Sequence, residues 1–197
     1  MNRFYRIALP LVGFFFRLVY PLKIVGREHI PEGAALVCGN HSSYADPVMA
    51  AIAFTGRHPL HFMAKADLFQ KPFLHWVLKK AEAFPVERGK ADVAAIRTAM
   101  KYLKNGEKVM LFPQGKRVRE HEMADAKTGA AMIAIRTGVP IVPMYIVEKR
   151  RIFRKNLLVI GKAYCPEVGS RKATAEEYRA VADDLLARIF ALGEVTK

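Results

Sequence analysis

Short apolar runs alternate along the chain with longer segments in which apolar residues recur every three or four positions. The short runs are rich in β-branched and aromatic residues and are bounded by turn residues, which predicts β-strands. The predicted strands are residues 22–25, 35–38, 60–64, 83–86, 108–112, 141–147 and 157–160. The periodic segments predict helices at residues 47–54, 72–79, 91–104, 128–137 and 175–192.

Two of the predicted helices carry boundary signals. Gly106 follows the helix 91–104 as a stop signal. Thr174 and Glu177 have the spacing of a capping box at the start of the helix 175–192, and Gly193 is expected to end it. Strands that alternate with helices predict a single α/β domain with a largely parallel or mixed sheet flanked by helices. Functional side chains of such sheets lie just after the strands.

The N-terminal segment contains the longest apolar stretch, residues 7–20, which Arg17 interrupts. The stretch is too short to span a bilayer, and it lacks a cleavage site typical of a secretory signal. It therefore predicts a membrane-surface helix with Arg3, Arg6 and Arg17 at the lipid headgroups. The alternative, compatible with the first, is that residues 14–16 pack on the core. The expected division is a membrane-associating helix at 1–20 and a domain at 21–197.

The composition of the chain excludes some classes of protein and indicates the chemistry of its binding partner. Apolar residues make up 52% of the 197 positions and charged residues 25%, which excludes a disordered chain. Two cysteines, Cys38 and Cys165, do not form a disulfide framework. The net charge of +14 predicts a phosphate-rich partner: nucleic acid, anionic lipid or a phosphorylated substrate.

The loop after the strand 35–38 contains a histidine and a carboxylate five residues apart, His41 and Asp46. A carboxylate that accepts a hydrogen bond from one imidazole nitrogen leaves the other nitrogen free to take a proton, which predicts a general-base dyad. Two alternatives remain at this point. Asp46 precedes Pro47, as an N-cap residue does, and His41 is also compatible with a structural role. The other histidines are scattered, so no metal site is expected.

Two further loops combine glycine with cations. The loop after the strand 108–112 contains Gly115, Lys116 and Arg117, a combination that suits an anion site because glycine exposes backbone N–H groups and the cations supply charge. The loop after the strand 83–86 contains Arg88 in a similar setting. Either loop alone is typical of a solvated turn.

Taken together, the loops resemble the conserved blocks of the glycerolipid acyltransferase family, which includes the 1-acylglycerol-3-phosphate (lysophospholipid) acyltransferases. Residues 40–46, beginning at Asn40, are similar to the family's first block of Asn-His followed by Asp. Residues 84–90 are similar to the second block and residues 112–117 to the third, in which Pro113 and Gln114 occur. Residues 139–143, with Pro140, are similar to the fourth block. The resemblance covers roughly residues 22–165.

The resemblance implies an O-acyltransferase of phospholipid synthesis, which moves a fatty acyl group from a thioester to the free hydroxyl of a lysophospholipid, most simply lysophosphatidic acid. His41 is then the general base and Asp46 orients it. Arg88, Gly115, Lys116 and Arg117 are expected to bind the acceptor's phosphate. The expected acyl donor is acyl-CoA or acyl carrier protein, with no cofactor and no metal.

The third block departs from the family pattern. Gln114 stands where the family usually has Glu, while Lys116 and Val118 replace Thr and Ser. The site should therefore attract anions more strongly than that of a typical member, which leaves the acceptor's head group open.

The expected location is the cytoplasmic face of the cell membrane, with peripheral or monotopic attachment to an anionic surface. The basic run at residues 149–155 either faces lipid headgroups or forms a solubilising loop. The alternative function is a non-catalytic basic module that binds phosphate at a membrane surface or on nucleic acid. Nucleic acid is not expected, because no nucleic-acid-binding motif is present.

Overall fold

A computed structural model describes residues 3–54, 59–87, 89, 92–118, 126–169 and 173–194. The helices, in chain order, are α1 (Arg3–Val19), α2 (Asp46–Ala53), α3 (Pro72–Lys80), α4 (Val93–Lys104), α5 (Gly129–Thr137) and α6 (Ala175–Glu194). The strands are β1 (Leu22–Val25), β2 (Ala35–Gly39), β3 (Leu60–Lys65), β4 (Phe84–Val86), β5 (Lys108–Leu111), β6 (Ile141–Ile146) and β7 (Asn156–Ile160). Short 3₁₀ helices occupy Arg27–His29 and Ala66–Gln70.

The strands form one seven-stranded sheet in the order β1-β7-β6-β2-β5-β3-β4. β2 lies at its centre and pairs in parallel with both β5 and β6. The pairing of β6 with β7 is antiparallel, so the sheet is mixed, as the sequence predicts. Because β2, β5 and β6 run in the same direction, the loops that follow them leave the sheet at the same edge.

Side chains of the central strands alternate between two apolar layers, as the pleat of a strand requires. Ala35 and Val37 of β2 face a cluster that α1 and α2 complete, whereas Leu36 and Cys38 face a cluster that includes α4, α5 and α6. The sheet is therefore covered on both faces. This explains why the residues of β2 and β5 are all buried and why, apart from Lys108 at the start of β5, they form continuous apolar runs.

The predicted elements are present with small shifts of their ends. Each strand boundary agrees to within one residue and each helix boundary to within two; the predicted start of α4, residue 91, lies outside the described residues. The capping box of α6 is confirmed, since the Thr174 N–H donates to Glu177 and the Glu177 N–H to the Thr174 hydroxyl. Gly193 does not end α6, which includes it: a Cβ there would lie 2.7 Å from the Tyr145 ring, so close packing requires the glycine.

Helix α1 both packs on the domain and exposes apolar residues. Leu9 and Phe16 pack against the core cluster. Phe14 and Phe15 are 60% and 59% exposed. The prediction that residues 14–16 pack on the core is therefore right for Phe16 and wrong for the two preceding phenylalanines. Among the helices of the described ranges, none combines the length and apolar content needed to cross a bilayer.

Candidate active site

His41 and Asp46 form a buried pair at the carboxyl edge of the sheet. His41 lies two residues after β2, and Asp46 is the first residue of α2. Their side chains are 8% and 0% exposed, and Nδ1 of His41 lies 2.8 Å from Oδ2 of Asp46. An ionised carboxylate only accepts hydrogen bonds, so in the neutral form of His41 this contact places the proton on Nδ1 and leaves Nε2 with a lone pair. The His41 ring stacks on Phe112, with the ring centroids 4.1 Å apart.

The Asp46 carboxylate organises the loop that precedes its own helix. Oδ2 also accepts hydrogen bonds from the backbone N–H groups of Ser42 and Ser43, both at 2.7 Å. The N-cap residue of α2 is Ala45, without a side-chain bond. The alternative prediction that Asp46 is an N-cap is therefore wrong, because its oxygens point back to the loop and to His41 rather than to the amides of the first helical turn.

Asn40 and Gln114 connect this loop to the neighbouring strands. The Asn40 side chain is fully buried and exchanges two hydrogen bonds with the backbone of Ile146 at the end of β6. The buried Gln114 accepts a hydrogen bond of 2.9 Å from the His41 N–H through Oε1. The Val118 N–H in turn donates to the His41 carbonyl, at 2.8 Å. The backbone of His41 is thus held on both sides by the loop that follows β5.

Three further residues of the predicted blocks act through their backbone. Gly115 has a φ of 68°, a left-handed conformation that favours glycine, and its N–H donates to the Phe112 carbonyl. The Pro113 carbonyl accepts from the Lys127 N–H. The Pro140 carbonyl accepts from the Leu36 N–H, just before β6. These bonds shape the loops around the dyad.

Of the predicted phosphate-binding cations, the structure places one beside the dyad. The guanidinium of Arg117 lies 3.7 Å from the centroid of the Tyr44 ring, and both residues line a cavity together with His41. Lys116 is exposed and is not part of this lining. Arg88 lies outside the described residues.

The cavity next to His41 has a volume of about 610 Å³ and is lined mainly by apolar side chains. Helices α1, α2 and α3 and the strand β3 form its walls. Besides His41, Tyr44 and Arg117, its polar lining residues are Lys65 and Lys80. A ligand with an apolar tail and a hydroxyl could place the tail in this cavity and the hydroxyl beside the imidazole.

Sequence reasoning missed Arg150, which donates hydrogen bonds to Oδ1 of Asp46 and to the Ser42 hydroxyl. The signal that would have indicated it is its position four residues after β6, a strand parallel to β2.

In the part of the chain that the structure describes, no three His, Cys, Asp or Glu side chains are arranged to hold a metal ion.

Comparisons with known proteins show which family the chain resembles. The family model described as Acyltransferase matches residues 21–147, more than half of the chain. A 1-acyl-sn-glycerol-3-phosphate acyltransferase of Bacillus subtilis is 36% identical over 124 residues, which are 62% of this chain and 60% of the relative. A probable 1-acyl-sn-glycerol-3-phosphate acyltransferase of Mycoplasma pneumoniae is 33% identical over 129 residues, 63% of this chain and 48% of the relative. The chain thus spans only about half to three fifths of the length of these curated relatives.

A solved structure extends the similarity to nearly the whole chain. The crystal structure of the 1-acyl-sn-glycerophosphate (LPA) acyltransferase PlsC from Thermotoga maritima has a TM-score of 0.69 and 26% sequence identity. The match covers 96% of this chain and 81% of that one.

The bond between Gln114 and His41 leads to a prediction about stability. Gln114→Leu should lower the free energy of unfolding by about 1–3 kcal/mol, because it leaves the buried His41 N–H without its acceptor. Urea denaturation measures this change. The matched control is Gln70→Leu, at an exposed position, which should stay within about 0.5 kcal/mol of the parent protein. Equal unfolding midpoints for the two variants would contradict the prediction.

Proposed function

The chain belongs to the acyltransferase family, and from that premise we propose that it transfers a fatty acyl group from an acyl thioester to the free hydroxyl of lysophosphatidic acid, giving phosphatidic acid. The activity in the names of the Bacillus subtilis and Thermotoga maritima proteins supports this reaction. The observation that carries the proposal is the His41–Asp46 pair beside an apolar cavity that Arg117 also lines.

In the proposed mechanism His41 is the general base. Nε2 takes the proton of the acceptor hydroxyl while the hydroxyl oxygen attacks the thioester carbonyl. The tetrahedral intermediate then collapses: the C–S bond breaks, the ester remains, and the thiolate receives the proton from His41. Asp46 holds the ring in the required tautomer and stabilises the imidazolium. General-base assistance of this kind contributes about 10²–10⁴ in rate.

Direct attack, without a covalent acyl-enzyme, agrees with the contacts of the nearby hydroxyl and thiol groups. The Ser42 hydroxyl accepts from Arg150, and the Ser43 hydroxyl accepts from the Ala45 N–H. Burial raises the pKa of the Cys38 thiol, which disfavours the nucleophilic thiolate. Among the contacts that the structure describes, neither serine hydroxyl bonds to the His41 ring, so the acceptor hydroxyl is the nucleophile in our proposal.

We assign the acceptor's phosphate to Arg117, whose planar guanidinium offers two parallel donors to phosphate oxygens. Stacking on Tyr44 restricts the orientation of this guanidinium and keeps it near the cavity. Gly115, Lys116 and Arg88 stay predictions as further contributors to phosphate binding. Holding the acceptor in this way removes orientational freedom before the chemical step.

The cavity suits a fatty acyl chain. Ligand pockets commonly measure about 300–1,000 Å³ and are mostly apolar, with few polar groups that fix orientation. The cavity of about 610 Å³ has this character, with His41 and Arg117 among its polar groups. The donor, acyl-CoA or acyl carrier protein, stays a prediction; the net charge of +14 is favourable for either, since both are anionic. The proposed reaction uses no cofactor or metal.

We further propose peripheral or monotopic attachment to an anionic membrane surface through α1. Large apolar side chains cover its outer face, namely Ile7, Leu11, Phe14, Phe15 and Leu18. The loop tip at Ile152 and Phe153, which is also exposed, adjoins the end of α1, because the Phe153 N–H donates to the Val19 carbonyl.

The cations of the basic run at residues 149–155 therefore have two different environments. Arg151, Arg154 and Lys155 are exposed around the apolar loop tip, as a headgroup-binding segment requires. Arg150 is turned inward to Asp46, so neither of the two predictions for the run, headgroup contact or a solubilising loop, applies to it.

His41→Ala should reduce acyl transfer by at least about a hundredfold, and Asp46→Asn should also reduce it steeply, because the base or its orienting group is lost. The measurement is product formation from lysophosphatidic acid and labelled acyl thioesters. Circular dichroism and vesicle binding of both variants serve as controls for folding. Near-normal turnover of Asp46→Asn would rule out the dyad. Binding of phosphorylated lipid without any transfer by the parent protein would favour the non-catalytic alternative.

Arg117→Ala should raise the KM for lysophosphatidic acid by about 10- to 100-fold, which corresponds to the loss of one charge-assisted hydrogen bond. Arg117→Lys should raise this KM less, because it keeps the charge. The KM for the acyl donor should change little. With monoacylglycerol, an acceptor that lacks the phosphate, the same variants should behave like the parent protein. Arg97→Ala, at an exposed position of α4, is the matched control. An unchanged acceptor KM in Arg117→Ala would place the phosphate elsewhere.

Membrane contact by α1 is testable by fluorescence, because the chain has a single tryptophan, Trp76. In a Trp76→Phe background, Phe15→Trp should be quenched by brominated acyl chains in vesicles that contain phosphatidylglycerol, since the ring enters the acyl region. Phe190→Trp in the same background is the control, at a less exposed position of α6. Equal quenching at both positions would contradict a specific role of α1.

A further inference from the structure

Arg150 is a cation in the loop between β6 and β7 that lies inside the domain rather than on its surface. Its side chain is 10% exposed, in contrast to the exposed Arg151, Arg154 and Lys155 that follow it. One guanidinium nitrogen donates both to Oδ1 of Asp46 and to the Ser42 hydroxyl, the latter at 2.9 Å. An arginine 104 residues away in sequence is thus paired with the carboxylate of the proposed dyad.

The fold brings Arg150 to this position. β6 and β2 are parallel neighbours, and the Asn40 side chain joins the end of one to the end of the other through Ile146. The loops that follow the two strands therefore lie side by side. Arg150, four residues beyond β6, reaches the loop that contains His41 and Asp46.

Arg150 approaches Asp46 on the oxygen that His41 does not use. His41, Ser42 and Ser43 all donate to Oδ2, whereas Arg150 donates to Oδ1. The carboxylate is fully buried, and a buried charge is costly unless it is paired and hydrogen-bonded. The guanidinium supplies a permanent positive charge next to Oδ1. Together with the three donors on Oδ2, it restricts the plane of the carboxylate to one orientation.

Arg150 is not part of the cavity lining that the structure describes, which includes His41 and Arg117. A ligand in that cavity would therefore contact Arg117 and the imidazole but not the Arg150 guanidinium. This separates the two arginines: Arg117 is placed to bind substrate, while Arg150 contacts Asp46 and Ser42 behind the base and the Glu148 carbonyl of its own loop.

We propose that Arg150 is a positioning residue for the acyl transfer reaction: it pairs with the Asp46 carboxylate and fixes its orientation, so that Oδ2 holds His41 in the tautomer that can act as the base. The expected effect of Arg150 on kcat rests on the proposed function, acyl transfer. Its structural consequence, the fixed tautomer of His41, does not depend on any substrate.

The kinetic test is a double-mutant cycle. Arg150→Met should lower kcat by about 10- to 100-fold, the scale of a misoriented catalytic group, with little change in the KM of either substrate. In the Asp46→Asn background the same substitution should have less than about a threefold effect, because residues that act through one another are not additive. Arg150→Lys should recover part of kcat. Arg136→Met, at an exposed position of α5, should be neutral in both backgrounds.

A second measurement needs no activity and keeps the proposal testable if acyl transfer is not the function. In the parent protein ¹H–¹⁵N spectra of the histidine rings should show a single tautomer for His41 with the proton on Nδ1; the His41→Ala spectrum identifies the signal. Arg150→Lys should weaken this preference, and Arg150→Met, or Arg150→Gln if the Met variant does not fold, should weaken it further. Arg136→Met should leave it intact.

Three outcomes would overturn the proposal. A folded Arg150→Met variant with parental kcat and an unchanged His41 tautomer would show that the contact has no positioning role. A rise in acceptor KM without a fall in kcat would make Arg150 a phosphate ligand instead. Additive losses in the Asp46→Asn background would mean that Arg150 acts independently of Asp46. Failure of His41→Ala to reduce transfer would instead refute the proposed function.

Discussion

The parallel pairing of β2 with both β5 and β6 is the constraint on which the site depends. Cys38 of β2 lies opposite Leu111 of β5 and Pro143 of β6, so the three chains leave the sheet side by side. Each following loop supplies one part of a single hydrogen-bonded unit: the histidine and its aspartate after β2, the amide that holds the histidine backbone after β5, and the arginine behind the aspartate after β6. A change in strand order would separate these parts.

Within a strongly basic protein, this unit surrounds one fully buried carboxylate, that of Asp46. Four hydrogen-bond donors compensate the negative charge of this carboxylate. Gln114, an amide, lies nearby at the position where the resembling family usually has a glutamate. The amide provides the acceptor that the His41 backbone needs without adding a second negative charge to the same loop cluster. The substitution is therefore consistent with the proton-accepting dyad and the anion binding that we propose for the site.

Helix α1 joins the site to the apolar surface of the protein. Leu9 belongs to the core contacts and to the cavity wall, while Phe14 and Phe15 face outward. Because one helix separates the cavity from the exposed apolar face, a lipid taken from a membrane would have only a short distance to travel to the imidazole. Packing on the core accounts for Leu9 and Phe16 of α1 but not for its exposed phenylalanines.

The amino-acid sequence by itself determined the strands, the helices and the proximity of His41 to Asp46, because periodicity, capping and a five-residue spacing are local properties of the chain. The resemblance to known blocks added the order of the loops and the class of chemistry. Only the tertiary structure decided which groups these residues contact. Asp46 bonds to Arg150 rather than capping its helix, and Gln114 bonds to the His41 backbone. Lys116 lies outside the cavity. These contacts join residues that are 73 to 104 positions apart or depend on how a loop folds back. They follow from the strand order β6-β2-β5, which differs from the order along the chain and is set by packing of the whole sheet.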